Sequence, residues 1–443
     1  MERLSMTAQL HRRQFLSATA TAFGALTLSG CMTRGTTQAV GYGPLVPDPA
    51  GLIDLPQGFT YRLLSSLDDA MSDGGTVPDK ADGMGCLPLP NGEIALVRNH
   101  ELVPTDGSGG TIPSGYDKAA GQFVLPGGTT TLVLDAKTLE KKREYRSLAG
   151  TIRNCAGGIT PWGSWLTCEE FVSKPDQIAP DKLGRDHGWV FEVPADAEGL
   201  VDAVPLKAIG RFNHEAACVD PVTGYVYLTE DRPDSVLYRY IPKVAGKLAE
   251  GGKLQAMVVD GIADTRNFDT PLMPVGRDFA VRWIDLDDVE APEDDLRTRA
   301  ARMGAAVIAR GEGIHMGENE LYVCSTSGGF AKFGQVFRLT PGRGKGADRF
   351  SLFFESESQH QFNYGDNLTV GPNGHLIVCE DQYTPVVDNH LRGITPDGQP
   401  YDFGRLHLQT ELAGGCFSPD GKWFFVNAYS PTRTIAITGP WAA

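Results

Sequence analysis

A chain of 443 residues is long enough for two or three ordinary domains or for one large repeat architecture. Its 41% hydrophobic and 21% charged residues are globular values, and 53 glycines with 29 prolines favour short strands and turns over long helices. A net charge of -15 argues against a nucleic-acid partner or an anionic membrane surface and leaves room for bound cations.

The N-terminus reads as an address. His11-Arg12-Arg13-Gln14-Phe15-Leu16 is a twin-arginine export pattern, and the weakly apolar run from Ala18 to Leu28 is too short for a spanning helix. The run ends at Leu28-Ser29-Gly30-Cys31, which has the form of a lipobox. Residues 1–31 are therefore expected to be a lipoprotein-type signal with Cys31 as lipid anchor, a plain signal cut after a small residue being the alternative. The expected location is the periplasm or cell envelope. Residues 32–55 carry Thr, Gly and Pro without a period and are expected to be a linker, with 56–443 a single domain. Of eight cysteines, those beyond Cys31 are odd in number and include no CxxC, so at least one thiol stays free.

A turn followed by an apolar strand recurs at 91–97, 162–168, 223–229, 318–324, 373–379 and 420–426. The Asn-Gly and Asp-Gly copies are expected hairpin turns with both residues at positive φ. A further strand follows each, at 131–135, 189–193, 236–240, 335–339, 390–394 and 434–438, and a more polar fourth strand is readable in all units but the last. The segment 59–64 is a spare strand at the other end of the chain. Together these predict an all-β fold, a six-bladed β-propeller closed by its N-terminal strand, with a β-sandwich as the alternative. An insertion at 261–308 has a helix-prone second half, 292–307, and is expected to cover one face of the ring.

In a propeller the first strand of each blade lines the central channel. Here those strands begin with Asp82-Gly83, Asn154-Cys155, Asn213-His214-Glu215, Arg310-Gly311-Glu312, Asp366-Asn367 and Gly414-Gly415. Converging carboxylates repel unless cations lie between them, and Asp82, Glu215, Glu312 and Asp366 with the asparagines are oxygen donors suited to Ca²⁺. Cys155 adds a soft ligand suited to a transition metal. The second strands end in Asn99-His100-Glu101, Glu169-Glu170, Glu230-Asp231 and Glu380-Asp381, where alternation sends one residue of each pair toward the channel. Arg310 lies on the same side of its strand as Glu312, either to orient phosphate or to neutralise that glutamate. His214 and His100 are open to three roles: metal ligand, proton donor or satisfied core residue. There is no GxxxxGK[ST], HExxH or usable GxSxG.

The twin-arginine export pattern, Asn154-Cys155-Ala156-Gly157-Gly158, Thr167-Cys168-Glu169-Glu170, Asn213-His214-Glu215, Arg310-Gly311-Glu312-Gly313 and Val378-Cys379-Glu380-Asp381 together resemble the PhoX-type alkaline phosphatases, over nearly all of the mature chain. The resemblance implies a secreted propeller with Fe³⁺ and Ca²⁺ at the channel mouth that hydrolyses phosphate monoesters of small molecules. It implies that Cys155, Glu215 and Glu312 hold iron. Glu101, Glu169, Asp366, Glu380 and Asp381 would help hold calcium or bridge metals, and Arg310 would orient phosphate, with His214 as a catalytic candidate beside it. The chain is expected to be a monomer. Two alternatives stay open: a calcium-dependent lactonase or esterase with a histidine proton shuttle, and a non-catalytic envelope binding propeller.

Overall fold

In the loop Pro90-Asn91-Gly92 both Asn91 and Gly92 are left-handed, at φ 63° and 76°. At Asn373-Gly374 and Asp420-Gly421 only the glycine is, at φ 79° and 69°. There Gly371 N–H donates to His375 O and Ser418 N–H to Trp423 O, each at 2.8 Å, closing loops of more than two residues. Leu89 N–H donates to Glu93 O (2.9 Å) in the same way, so all three loops exceed two residues, and the expected pair of positive φ values occurs at Asn91-Gly92 alone of these three.

The computed structural model describes residues 40–441 apart from 120–121, 176–181, 383, 385 and 387; the export signal and Cys31 lie outside the described residues. The fold is almost entirely antiparallel sheet, with one α-helix, Leu296–Arg302, among the described residues. No described helix is long and apolar enough to cross a membrane. Six inner strands each end a ladder of antiparallel strands: Ala81–Pro88, Asn154–Ile159, Gly365–Val370 and Leu412–Phe417 in sheets of their own, and His214–Val219 and Gly311–Met316 at the two ends of one nine-stranded sheet. These strands pack against one another in chain order and the last returns to the first, a propeller-like arrangement. Apolar clusters fill the gaps between neighbouring sheets. Leu87, Val97 and Leu148 meet Trp165, Phe191 and Val193, and Met84, Leu96 and Leu132 meet Phe425 and Ala436.

Thr60–Ser66, from the N-terminal end, pairs with Arg433–Thr438 as the outer strand of the last sheet. Behind it Arg98, 1% exposed, bonds Glu144 Oε1 (2.9 Å), Thr434 Oγ1 (2.5 Å) and Ser65 Oγ (3.3 Å). The buried Arg98–Glu144 pair lies within the first sheet, and the Ser65 and Thr434 hydroxyls bonded to it tie that sheet to the last.

Three expectations need correction. The sheet of Asn154–Ile159 ends regularly at Val190–Pro194 and gains only an isolated bridge from Phe191 to Pro205, because proline has no N–H to extend a ladder. The insertion does not simply cap a face. Its strand Asp278–Asp285 joins the outer strands Gly252–Val259 and Asp348–Glu355 of two sheets, and its helix is shorter than expected, with Leu296 and Ala300 buried. Finally, Leu45–Val46 lies inside the expected linker and Ile53–Pro56 at its end, and together they extend the sheet edge at Pro400–Leu406. The Asp48 carboxylate holds their turn by accepting from Leu52 N–H (2.7 Å) and Tyr61 O–H (2.7 Å).

Replacing Glu144 by Gln leaves Arg98 as a buried cation without its charge partner. Denaturant unfolding should show a loss of about 3 kcal/mol; an unchanged midpoint would mean that the surrounding hydroxyls suffice.

Candidate metal centre

The inner strands share one irregularity. Their ladders shift register between Ala81 and Met84, Asn154 and Gly157, His214 and Ala217, Gly311 and Ile314, and Gly365 and Leu368. A bulge re-aims the extra side chain. The first bulged residues are Asp82, Cys155, Glu215, Glu312 and Asp366, and the second are Gly83, Ala156, Ala216, Gly313 and Asn367. In the last strand the shift falls between Ala413 and Cys416, and its bulge, Gly414-Gly415, brings no ligand. Small residues at the second place let the strands abut. A Cβ on Gly313 would lie 2.6 Å from Asp366 O. Backbone contact of this closeness is what brings the acids together.

The second strands supply another layer. The residue paired with the start of each inner strand points away from the channel, and the next residue turns toward it. The first kind is saturated by bonds. Glu169 accepts from Ile152 N–H (3.0 Å), Gly188 N–H (2.9 Å), Trp189 N–H (3.1 Å) and His187 Nδ1 (2.6 Å). Glu380 accepts from Asn363 N–H (2.9 Å), His390 N–H (3.1 Å) and Arg392 Nε (2.6 Å). His100 is held by Asp79 O and Thr130 Oγ1, both at 2.9 Å. Glu169 and Glu380 are therefore not cluster residues, a correction to the expected set: with both carboxylate oxygens committed to protein donors, neither faces a shared site. Their neighbours Glu170 and Asp381 do, as do Glu101, Asp231, Thr326 and Tyr429 at matching places.

His214 is also corrected. Its ring lies against Phe212 (centroids 3.6 Å apart), Nε2 bonds Gly210 O (3.0 Å), and burial pushes its pKa down to about 3. It is a neutral core residue; what it presents to the site is its carbonyl, 3.3 Å from Cys155 Sγ.

The residues brought together are Cys155, Glu170 and Glu215, whose donor atoms lie within 4.8 Å of one another, and Glu215, Glu312 and Asp366, which do likewise. Glu215 belongs to both groups. Arg310 donates from Nε to Asp231 Oδ1 (2.7 Å) and from Nη2 to Asp231 Oδ2 and Glu312 Oε1 (3.0 Å each). Arg153 binds Glu101 and Glu170. Among the described residues these two arginines are the cations bonded to the cluster. Burial, then neighbouring negative charge, pushes the carboxyls of Asp82, Glu215 and Glu312 well above their usual range, and Asp366 to about 8. The Cys155 thiol is pushed up by burial and by Glu215. Glu411, raised by burial and by Asp381, was missed in the sequence, although it precedes its inner strand as Arg153 and Arg310 precede theirs. Such a donor set fits cations: hard oxygen ligands that repel one another, with one thiol.

Beyond the small residues the channel continues as an apolar cavity of about 410 Å³, lined by Met84, Cys86, Trp165, Ile314, Leu368 and Phe417 among others. All seven described cysteines are buried and free, which bears out the expectation of at least one unpaired thiol.

A family model described as alkaline phosphatase PhoX matches residues 40–142 and 126–432. The chain belongs to the PhoX alkaline phosphatase family. Comparison with curated proteins returned no match. Among solved structures, Pseudomonas fluorescens PhoX in complex with vanadate, a transition state analogue, aligns over 90% of this chain and 97% of its own, at 19% identity and a TM-score of 0.68. That likeness shows the PhoX propeller fold. The gluconolactonase XC5397 from Xanthomonas campestris aligns over 91% of this chain and 99% of its own, at 15% identity, but with a TM-score of only 0.41.

Two outcomes follow. Glu170→Gln should lower bound metal, measured by elemental analysis, whereas Glu169→Gln should lower the melting temperature with metal content kept; the reverse pattern would reassign the pair. For chelator-treated protein, Asp366 holds a proton up to about pH 8 that the unfolded chain has already lost. Its contribution is full below the ordinary carboxylate pKa and is lost as pH rises through about 8. Stability should fall across that window by up to ~1.4 kcal/mol per unit for each retained proton. A rise in melting temperature over the same window would contradict this origin.

Proposed function

We propose that the chain hydrolyses phosphate monoesters with cations held in this cluster. The observation that carries the reading is an asymmetry in the acidic rim. Its positions are filled by Glu101, Glu170, Asp231, Asp381 and the phenol of Tyr429, except beside Arg310, where Thr326 stands and donates its N–H to Arg310 O (3.0 Å). A dianion entering there meets a guanidinium and a neutral residue instead of another carboxylate. Asp231 and Glu312 fix the plane of that guanidinium from two sides, so it is oriented before substrate arrives. A fixed fork of donors suits the oxygens of a phosphoryl group. Family membership supports the same chemistry.

Cys155, Glu170, Glu215 and Glu312 are assigned to Fe³⁺, and Asp82, Asp366, Asp381 and Glu411 to Ca²⁺, on the softness of the thiol and the hardness of the carboxylates. When bound, such cations supply Lewis-acid polarisation of the phosphoryl group and relief of charge on the leaving oxygen. The protein's own part is to hold the donors converged, to orient the phosphate through Arg310 and to keep His214 out of the reaction. The last point weighs against a lactonase with a histidine shuttle.

We further read the fold as a six-bladed propeller closed by Thr60–Ser66. The neighbour order of the inner strands and the pairing of Thr60–Ser66 with Arg433–Thr438 support it. Export by the twin-arginine route, with a lipid anchor at Cys31, remains part of the proposal and rests on the N-terminal sequence.

The test is to purify protein from its native export route, measure iron and calcium, and assay an aryl phosphate with and without a calcium chelator. Both metals with chelator-sensitive turnover are expected; calcium alone without phosphate release would overturn the phosphatase reading. Arg310→Ala should lower kcat/KM by about 10²- to 10³-fold, and Cys155→Ala should lose iron. A Cys155→Ala protein with undiminished iron would remove the thiol from the ligand set.

A further inference from the structure

Arg153 precedes Asn154-Cys155 as Arg310 precedes Gly311-Glu312, and both sit in the same backbone setting. Each is left-handed at φ 49°, uncommon for a residue with a side chain. Arg153 N–H donates to Leu102 O (3.0 Å), and its carbonyl accepts from Glu170 N–H (2.9 Å). Arg310 N–H donates to Arg232 O (2.9 Å), and its carbonyl accepts from Thr326 N–H (3.0 Å). Each arginine is thus stapled by its main chain between the residue after one rim position and the next rim position itself. The difference lies in those neighbours. Arg310 has neutral Thr326 on its own sheet, but Arg153 has acids on both sides.

The guanidinium of Arg153 spans those acids. Nε lies 2.8 Å and Nη2 2.5 Å from Glu101 Oε1, and Nη2 lies 2.7 Å from Glu170 Oε2. Glu101 Oε2 accepts from Tyr429 O–H (2.6 Å). The head group therefore occupies the space between two carboxylates that would otherwise share a small cation. An arginine keeps its charge at any working pH. Tethered by its own side chain, it competes with free Ca²⁺ at an effective concentration of roughly millimolar or above.

We propose that Arg153 is a built-in counter-ion that takes the place of a divalent cation between Glu101 and Glu170, so that none binds between these two carboxylates, while Glu170 still faces Cys155 and Glu215. This rests on the reading that the remaining acids hold cations. It also replaces the expectation that Glu101 helps to hold calcium.

The experiment measures Ca²⁺ bound per chain, by equilibrium dialysis with elemental analysis, for wild type, Arg153→Ser and Arg153→Lys. Arg153→Ser should bind about one equivalent more than wild type, and Arg153→Lys the same number as wild type. Terbium used as a calcium probe should gain tyrosine-sensitised emission in Arg153→Ser, because Tyr429 bonds Glu101. Equal, non-zero contents in wild type and Arg153→Ser would sink the role of Arg153 alone. A wild type that binds no cation at all would instead sink the reading of the channel as a cation site. Should Arg153→Ser fail to fold, wild-type crystals grown in calcium decide: anomalous density between Glu101 and Glu170 overturns the inference. Density at the Glu215–Glu312–Asp366 group with none between Glu101 and Glu170 supports it.

Discussion

Mutual repulsion of buried carboxylates is the constraint on which the rest of this structure depends. The sheets drive Asp82, Glu215, Glu312 and Asp366 into one channel, where burial disfavours their charge and neighbouring acids, Asp366 and Asp381 among them, raise their pKa further. A protein cannot keep such an arrangement without protons, cations or guanidinium groups among the acids. Arg153 and Arg310 supply part of that charge from the chain itself. The remainder is what makes the channel a candidate cation site in a member of a phosphatase family.

Holding the acids there requires rigidity around them, and the strand alternation divides the work. On the second strands one residue of each pair anchors the sheet and its neighbour faces the channel. Glu169 shows the anchoring role most fully. It binds His187, whose other nitrogen lies 3.1 Å from Asp117 Oδ2. Burial opposes charge on that imidazole, yet the two carboxylates raise its pKa to about 9, so it is a cation clamped between anions. The clamp pins the strand end from which Glu170 projects. Glu380 with Arg392 and Glu230 with Tyr238 and Arg297 repeat the principle with other partners.

Much of this was legible in the sequence because it repeats. Turn-plus-strand segments at a recurring position, acids closing four of the second strands and small residues beside the inner-strand acids are local patterns. They pointed correctly to inner strands converging with Asp82, Cys155, Glu215, Glu312 and Asp366. What failed was orientation. Glu169 was favoured over Glu170, Glu380 was kept beside Asp381, and His214 was carried as a catalytic candidate because it adjoins Glu215. Neighbouring residues on a strand face opposite ways, and a bulge resets which one faces in. Glu411 escaped notice since its own strand carries no acid at the bulge.

The sequence by itself determined the all-β class, the repeat and the chemical inventory of the site, because periodicity and residue type are local properties. Only the tertiary structure decided which member of each acid pair is a ligand candidate, that the insertion bridges two sheet edges, and that Arg153 lies between Glu101 and Glu170. Each of these depends on what residues far apart in sequence bring to the same place. The contact between Arg153 and Glu101 joins positions on different sheets, and no spacing rule along the chain encodes it.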